Sequence, residues 1–355
     1  MVTQTTQTTT EIAKGGKGSK DACLEQVIPD IWPMDGTKGN QFIKWLVFKA
    51  GAWVTITICC CMYYVAPLMV ISLPFALWLA PRAGLTILAL CAGSVCWPSS
   101  DWPAFRRVFQ HLFGVFNVRT NFYDVSPRID RKKRYIYAFH PHAIVPLHAL
   151  TWCAFLDRLD RSLYGVGGMA TAIYFVPFVC NIFRWLNNIS ANYKVMKKSL
   201  VRDKKNVYLL PDGIAGIYYS RRGKHYAVLK KRRGLFRLAT ETGASLIPIY
   251  CFGANDMLEQ ADWDCDSFIG KMSRKFKLSV TIYWGQLGLP IPFPVNLSYV
   301  FGEPVAPPKV ELREGEKIDP KVIEEFYDRY VAALRKAFDH YKAAAGYPDA
   351  ELVVI

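Results

Sequence analysis

Between Lys49 and Asp101 lie 51 residues whose single charge is Arg82. A soluble helix keeps a polar face, so an uncharged run of this length points to lipid. One helical span takes about 20 apolar residues, and two take about 40 plus a turn. The run fits two arms, with candidate breaks at Pro67, at Pro74 and at the step Pro81-Arg82-Ala83-Gly84. Arg82 then lies at the turn or snorkels to an interface. Lys44 and Lys49 flank one end, Arg106 and Arg107 the other, which favours both ends on the cytosolic side. A buried hairpin in a soluble protein is the weaker alternative. Residues 41–98 are therefore expected to form a membrane-embedded hydrophobic hairpin.

The flanks differ in kind. Residues 1–40 are rich in Thr, Gln, Gly and Lys and lack a signal-peptide core, so they read as a mobile polar tail. Ten cysteines include no Cys-x-x-Cys pair, which argues against a disulfide framework or zinc ribbon and for a reducing compartment. The net charge is +15, and residues 101–240 hold 25 Lys and Arg against 7 Asp and Glu. The excess positive charge thus sits just beyond the apolar run, where it attracts anionic headgroups or phosphorylated ligands. Nucleic acid is not expected as a partner, because no helix-turn-helix, zinc-finger or RNA-binding aromatic motif is present.

Beyond the run, strand and helix patterns alternate. Tyr135–Phe139, Asn206–Leu210 and Ser245–Tyr250 read as strands, and Leu278–Trp284 and Leu297–Phe301 as two more. A helix is expected over Gly234–Thr242 with Gly243 as its cap, and another from Asp319-Pro320 to Gly346. In the second, Val322, Phe326, Tyr330, Leu334, Phe338 and Tyr341 recur at helical spacing and read as core. The expected fold class is α/β, a sheet flanked by helices, occupying residues 99–355.

Three of the six histidines fall in Phe139-His140-Pro141-His142-Ala143-Ile144-Val145-Pro146-Leu147-His148, directly after a strand. Imidazole titrates near pH 6.5 and is the usual general base at neutral pH. Strand ends are also where α/β sheets place their sites, and Pro141 stiffens the link between His140 and His142. Hydrogen-bonded core histidines are the competing reading. Metal is disfavoured, since no third ligand stands at a recognisable spacing.

The segment YIYAFHPHAIVPLHAL resembles the region around the His-Pro-His-Gly motif of the type 2 diacylglycerol acyltransferase family, which includes monoacylglycerol and wax-ester acyltransferases. Three further blocks resemble that family in the same order: Tyr174-Phe175-Val176-Pro177-Phe178; Arg232-Arg233-Gly234 through Pro248 with Phe252-Gly253-Ala254-Asn255-Asp256; and Val300-Phe301-Gly302-Glu303-Pro304-Val305. Pro141, Pro177, Gly234, Gly302 and Pro304 are its structural positions here.

The resemblance implies a glycerolipid-acyltransferase-like sheet and transfer of an acyl group from acyl-CoA to diacylglycerol, with monoacylglycerol or a fatty alcohol as alternative acceptors. A non-catalytic lipid-binding homologue is the reading from another class. Acyl-CoA is a substrate, so no cofactor is expected, and a homo-oligomer is compatible. The implied location is the endoplasmic-reticulum membrane with a cytosolic catalytic domain, extending to lipid-droplet surfaces.

On this reading His140 is favoured as the base and His142 as its partner. Backbone N–H groups of the Asp212-Gly213 turn would receive the oxyanion. Lys230, Lys231, Arg232 and Arg233, with Arg221, Arg222 and Lys224, would receive the CoA phosphates. Two departures stand out: the motif glycine is Ala143, and the glutamate of the family's Gly-Gly-x-x-Glu segment falls on Gly216. Sequons at Asn188 and Asn296 are both expected on the cytosolic side.

Overall fold

The computed structural model describes residues 23–26, 39–106, 109, 119–123, 130, 132–155, 164–277, 279–310 and 318–355. Most of the polar tail lies outside these residues. Within it, Cys23–Gln26 (β1) pairs antiparallel with Arg119–Tyr123 (β2).

The apolar run folds as two helices, Gly39–Leu79 (α1) and Pro81–Cys96 (α2). The break is at Ala80, with Pro81 in the first turn of α2, where its missing N–H costs nothing. Pro67 and Pro74, the other candidate breaks, lie inside α1. Arg82 is exposed at the corner. The helices meet closely there: a Cβ on Gly84 would come within 2.6 Å of the Leu77 nitrogen.

Cys60–Leu79 is 20 residues long and apolar, and only 11% of its most apolar window is buried by the rest of the protein. At about 1.5 Å per residue it matches a bilayer core of about 30 Å. The second arm is shorter, 16 residues. It is anchored to Val179–Trp185 (α4): the Ser94 hydroxyl donates to Asn181 Oδ1 at 2.6 Å, and the Asn181 amide donates to the Ser94 carbonyl at 3.1 Å.

The remainder is a mixed α/β structure around an eight-stranded, mostly parallel sheet. The other strands of that sheet are Tyr135–His140 (β3), Gly165–Met169 (β4), Asn188–Ser190 (β5), Asn206–Leu209 (β6), Ser245–Phe252 (β8) and Asn296–Phe301 (β11), in the order β1-β2-β11-β8-β3-β6-β4-β5. Two short pairs stand apart: Tyr226–Ala227 (β7) with Val353–Val354 (β12), and Glu259–Gln260 (β9) with Tyr283–Trp284 (β10). Of the strand expected over Leu278–Trp284, only Tyr283–Trp284 forms, and residue 278 lies outside the described residues.

Every residue of β3 is buried, as a central parallel strand requires. Tyr135, Tyr137 and Phe139 enter one core with Leu147–Phe155 (α3) and α4, whereas Ile136 and Ala138 enter the other. That second core is covered by Tyr193–Val201 (α5), Arg233–Thr242 (α7) and Pro320–Tyr341 (α9). Period-two alternation puts His140, the last residue of β3, on the face of Ile136 and Ala138. Asp319 caps α9 by accepting from the Lys321 N–H at 2.9 Å, and Gly243 closes α7 in the left-handed conformation. The C-terminal helix stops at Tyr341, with turns from there to Gly346.

Candidate active site

His140 and Asp212 end adjacent parallel strands. Ala138 pairs with Leu209, so the turn after β6 delivers Asp212 level with the end of β3. His140 is 0% exposed, and its Nδ1 lies 3.0 and 3.1 Å from the two Asp212 carboxylate oxygens. A carboxylate accepts only, so Nδ1 carries the proton. Nε2 then accepts from the Tyr330 hydroxyl at 2.9 Å. Burial raises the Tyr330 pKa well above its usual value, which keeps that hydroxyl a donor. Both nitrogens of His140 are thus occupied.

Asp212 is pinned from two further sides. The Val228 N–H donates to Oδ1 at 2.8 Å, and Arg232 Nη2 donates to the Asp212 carbonyl at 2.6 Å. The loop supplying both groups is braced by the C-terminal strand. Val353 N–H donates to the His225 carbonyl and Ile355 N–H to the Ala227 carbonyl, each at 2.9 Å, while the Leu229 and Lys230 N–H groups donate to the Ile355 carbonyl at 2.6 and 3.0 Å.

His142 is only partly buried. Its Nδ1 lies 2.9 Å from the Ala143 carbonyl, which can only accept, so Nδ1–H donates and Nε2 holds the lone pair. Burial lowers the His142 pKa from 6.5, and the nearby Arg232 cation adds to this against the opposing pull of Asp212. His142 is therefore neutral at physiological pH, with its Nε2 lone pair unprotonated. The two histidines thus differ: His140 is sealed and doubly bonded, whereas among the described residues His142 Nε2 has no hydrogen-bond partner.

The backbone between them is tight. Ala143 has φ +59°, a left-handed conformation that suits the glycine of the resembling motif better than alanine. The His140–Pro141 peptide is cis. A Cβ on Gly216 would come within 2.5 Å of Asp212 Cβ and 2.9 Å of His142 Cβ. A glutamate there would displace both, so its absence accords with this packing.

His148 lies in the first turn of α3, 0% exposed, with no well-formed hydrogen bond to either ring nitrogen among the described residues. Burial, aided by repulsion from His142, pushes its pKa down to about 3, so it is a neutral imidazole.

The other expected site residues divide. The Gly213 N–H is turned back onto the Leu210 carbonyl at 3.3 Å, which leaves it committed rather than presented to an oxyanion. Arg232 stands at the site and gives one of its donors, on Nη2, to the Asp212 carbonyl. Arg233 pairs with Glu324 at 2.6 Å and lies over the Tyr327 ring, Arg222 pairs with Glu259 at 3.0 Å, and Arg221 pairs with Asp262 at 2.9 Å. Lys224, Lys230 and Lys231 are exposed.

Pro177 precedes α4. Gly302 is needed for close packing, since its Cβ would come within 2.7 Å of the Pro248 ring, and Pro304 leads into the Val305 bridge to Leu246. Gly234 opens onto free space. Tyr330 was hidden in an apolar helical stripe, and the Val353–Ile355 brace has too short a sequence pattern to detect.

A partly buried imidazole and a buried His–Asp–Tyr chain at the carboxyl ends of parallel strands, in a chain that also carries one apolar helix long enough to cross a bilayer, define an α/β protein with a candidate acid–base site. Residues 95–355 match the family model described as diacylglycerol acyltransferase. The chain is 31% identical over 267 residues to diacylglycerol O-acyltransferase 2-like protein 6 of Mus musculus, covering 68% of this chain and 74% of that protein. It is 26% identical over 294 residues to diacylglycerol O-acyltransferase 2 of Dictyostelium discoideum, covering 77% and 82%. Acyl-CoA wax alcohol acyltransferase 2 of Mus musculus is 26% identical over 269 residues, covering 70% and 77%. No solved structure matches the chain. The chain belongs to the diacylglycerol acyltransferase family.

Proposed function

We propose that the chain is a membrane-bound acyltransferase that moves a fatty acyl group from acyl-CoA to the free hydroxyl of diacylglycerol, making triacylglycerol. The observation that carries this is the fixed tautomer of His142, with Nδ1–H held by the Ala143 carbonyl and Nε2 left as a base. An alcohol is a weak nucleophile, and a positioned base contributes about 10²–10⁴-fold to such a step.

As the hydroxyl oxygen attacks the thioester carbon, its proton passes to Nε2 of His142. Collapse of the tetrahedral intermediate breaks the C–S bond, and the imidazolium returns the proton to the CoA thiolate. Asp212 and Tyr330 fix His140, which holds the turn that carries His142. Lys230 and Lys231, exposed on the loop beside Arg232, offer cations to the CoA phosphates. The Cys60–Leu79 segment inserts in the endoplasmic-reticulum membrane and brings the site to its lipid acceptor, with the α/β domain on the cytosolic side.

Expression in cells that cannot make triacylglycerol tests the reading. The wild-type chain restores the lipid, and H142A does not while remaining in the membrane fraction. Restoration by H142A would end the assignment. A fatty alcohol is the second acceptor to consider, because the wax alcohol acyltransferase is as similar to this chain as the Dictyostelium relative. The neutral lipid that accumulates distinguishes the two.

A further inference from the structure

The α/β domain carries large apolar side chains that no core explains. Val280, Ile282 and Leu289 are each about half exposed, Phe268 is 78% exposed and Leu287 is 90% exposed. They lie on one stretch of chain, residues 280–289, and on the helix before it, Phe268–Phe276 (α8). The two are joined: the Val280 N–H donates to Ser273 Oγ at 3.0 Å, and the Tyr218 hydroxyl bonds both Ser273 Oγ and the Val280 carbonyl. Apolar groups clustered and exposed in this way mark a contact surface.

The same stretch is fastened to the apolar helix α1. The Tyr64 hydroxyl donates to the Tyr283 carbonyl at 2.7 Å and receives the Tyr283 N–H, and the two rings stack at 4.7 Å. The Tyr283 hydroxyl donates to the Cys60 carbonyl at 3.2 Å. Tyr64 is four residues inside the 20-residue window that opens at Cys60, a depth of about 6 Å along the helix. Tyr283 is thereby held where α1 would enter the hydrocarbon, and exposed apolar neighbours there fall at interfacial depth, about 5–10 Å.

The charges agree. Lys271, Lys275 and Lys277 are exposed beside the patch, Asp262 and Asp266 are paired with Arg221 and Arg274, and Asp264 is the one further exposed carboxylate of the loop before Phe268. Lysines flanking an apolar patch can snorkel to headgroups.

We infer that Val280–Leu289, with Phe268, is a second membrane-contacting element that dips into the bilayer interface beside α1. It ties the α/β domain to the lipid surface at a fixed height. Through Ser273 and Tyr218 it also connects to Gly213–Tyr219 (α6), the helix that follows Asp212. The inference rests on the reading of α1 as membrane-inserted.

The test places an environment-sensitive fluorescent amino acid at one position of the full chain, reconstituted in phosphatidylcholine vesicles with or without spin-labelled lipid. Position 75 on α1 reports the span, position 287 the proposed element, and position 321 an aqueous reference. Quenching at 75 and 287 with none at 321 is expected, and shallow spin labels should act more strongly at 287 than at 75. Quenching at 75 alone overturns the inference and leaves the span intact; quenching at neither removes both. Shielding of 287 that depends on protein concentration but not on spin label would instead mean a contact between copies, and also overturns it.

A paired substitution, L287D with L289D, gives a functional readout. Leu287 has φ +57°, a conformation aspartate adopts more readily than leucine, so the fold should tolerate that change. Turnover of vesicle-borne acceptor should fall while turnover of detergent-dispersed acceptor is kept. Equal turnover of both by the variant and the wild type would count against the element.

Discussion

The Tyr330 hydroxyl lies 2.9 Å from Nε2 of His140 and joins residues 190 positions apart. It closes the side of the histidine that Asp212 leaves open, which on the proposed mechanism leaves His140 a positioning role. Removing the hydroxyl tests this. Y330F leaves a buried acceptor unsatisfied, at a cost of about 1–3 kcal/mol. A lowered Tm with a fall in kcat, and little change in KM for acyl-CoA, is the expected outcome. An unchanged kcat would detach His140 from the reaction.

His142 should set the acid limb of the reaction. A base works deprotonated, and burial lowers the His142 pKa below 6.5. The acid limb of kcat/KM is therefore expected below the pH at which a free imidazole titrates, with activity rising as pH rises through it. H142A should lower kcat by about 10²–10⁴-fold. H140N, which keeps a donor toward Asp212, should retain more activity than H142A.

Ala143 is held at φ +59°. The left-handed conformation costs a non-glycine residue about 1–2 kcal/mol, partly offset by the greater unfolded-state freedom of glycine. A143G should raise stability to chemical denaturation by up to about 1 kcal/mol. The His142 hydrogen bond goes to a backbone carbonyl, so activity should persist.

His148 should make the fold sensitive to acid. Its folded pKa of about 3 lies below the unfolded value near 6.5. Its neutral form is favourable above pH 6.5, and the unfolded chain takes up the proton first as pH falls. Stability should then drop by about 1.4 kcal/mol per pH unit from about 6.5 down toward 3 from this residue alone. H148L removes the titration and two buried ring nitrogens, so its Tm should exceed wild type by more at pH 5 than at pH 7.

The elements with long, regular patterns were legible in the sequence. The uncharged run marked its own helices, because so long an apolar stretch bounded by Pro81 has the length and composition of helical spans. The strands at Tyr135, Asn206, Ser245 and Asn296 and the capped helices at Arg233 and Pro320 followed from local chemistry. Asn188 shows where local pattern misleads. Its sequon lies on a strand, with the side-chain amide donating to the Phe183 and Leu186 carbonyls at 3.0 and 3.1 Å, so only Asn296 can report sidedness.

By itself the amino-acid order determined that an apolar segment precedes an α/β domain, that a histidine pair follows its central strand, and that four blocks match one enzyme family. Tertiary structure decided that His140 is bonded on both ring nitrogens, because burial and partners arrive from Asp212 and Tyr330 on other elements. It also decided that Arg232 serves the backbone of Asp212 and that Arg233 serves Glu324. A motif states which groups are near each other along the chain, but the proton's place depends on what approaches from across the fold.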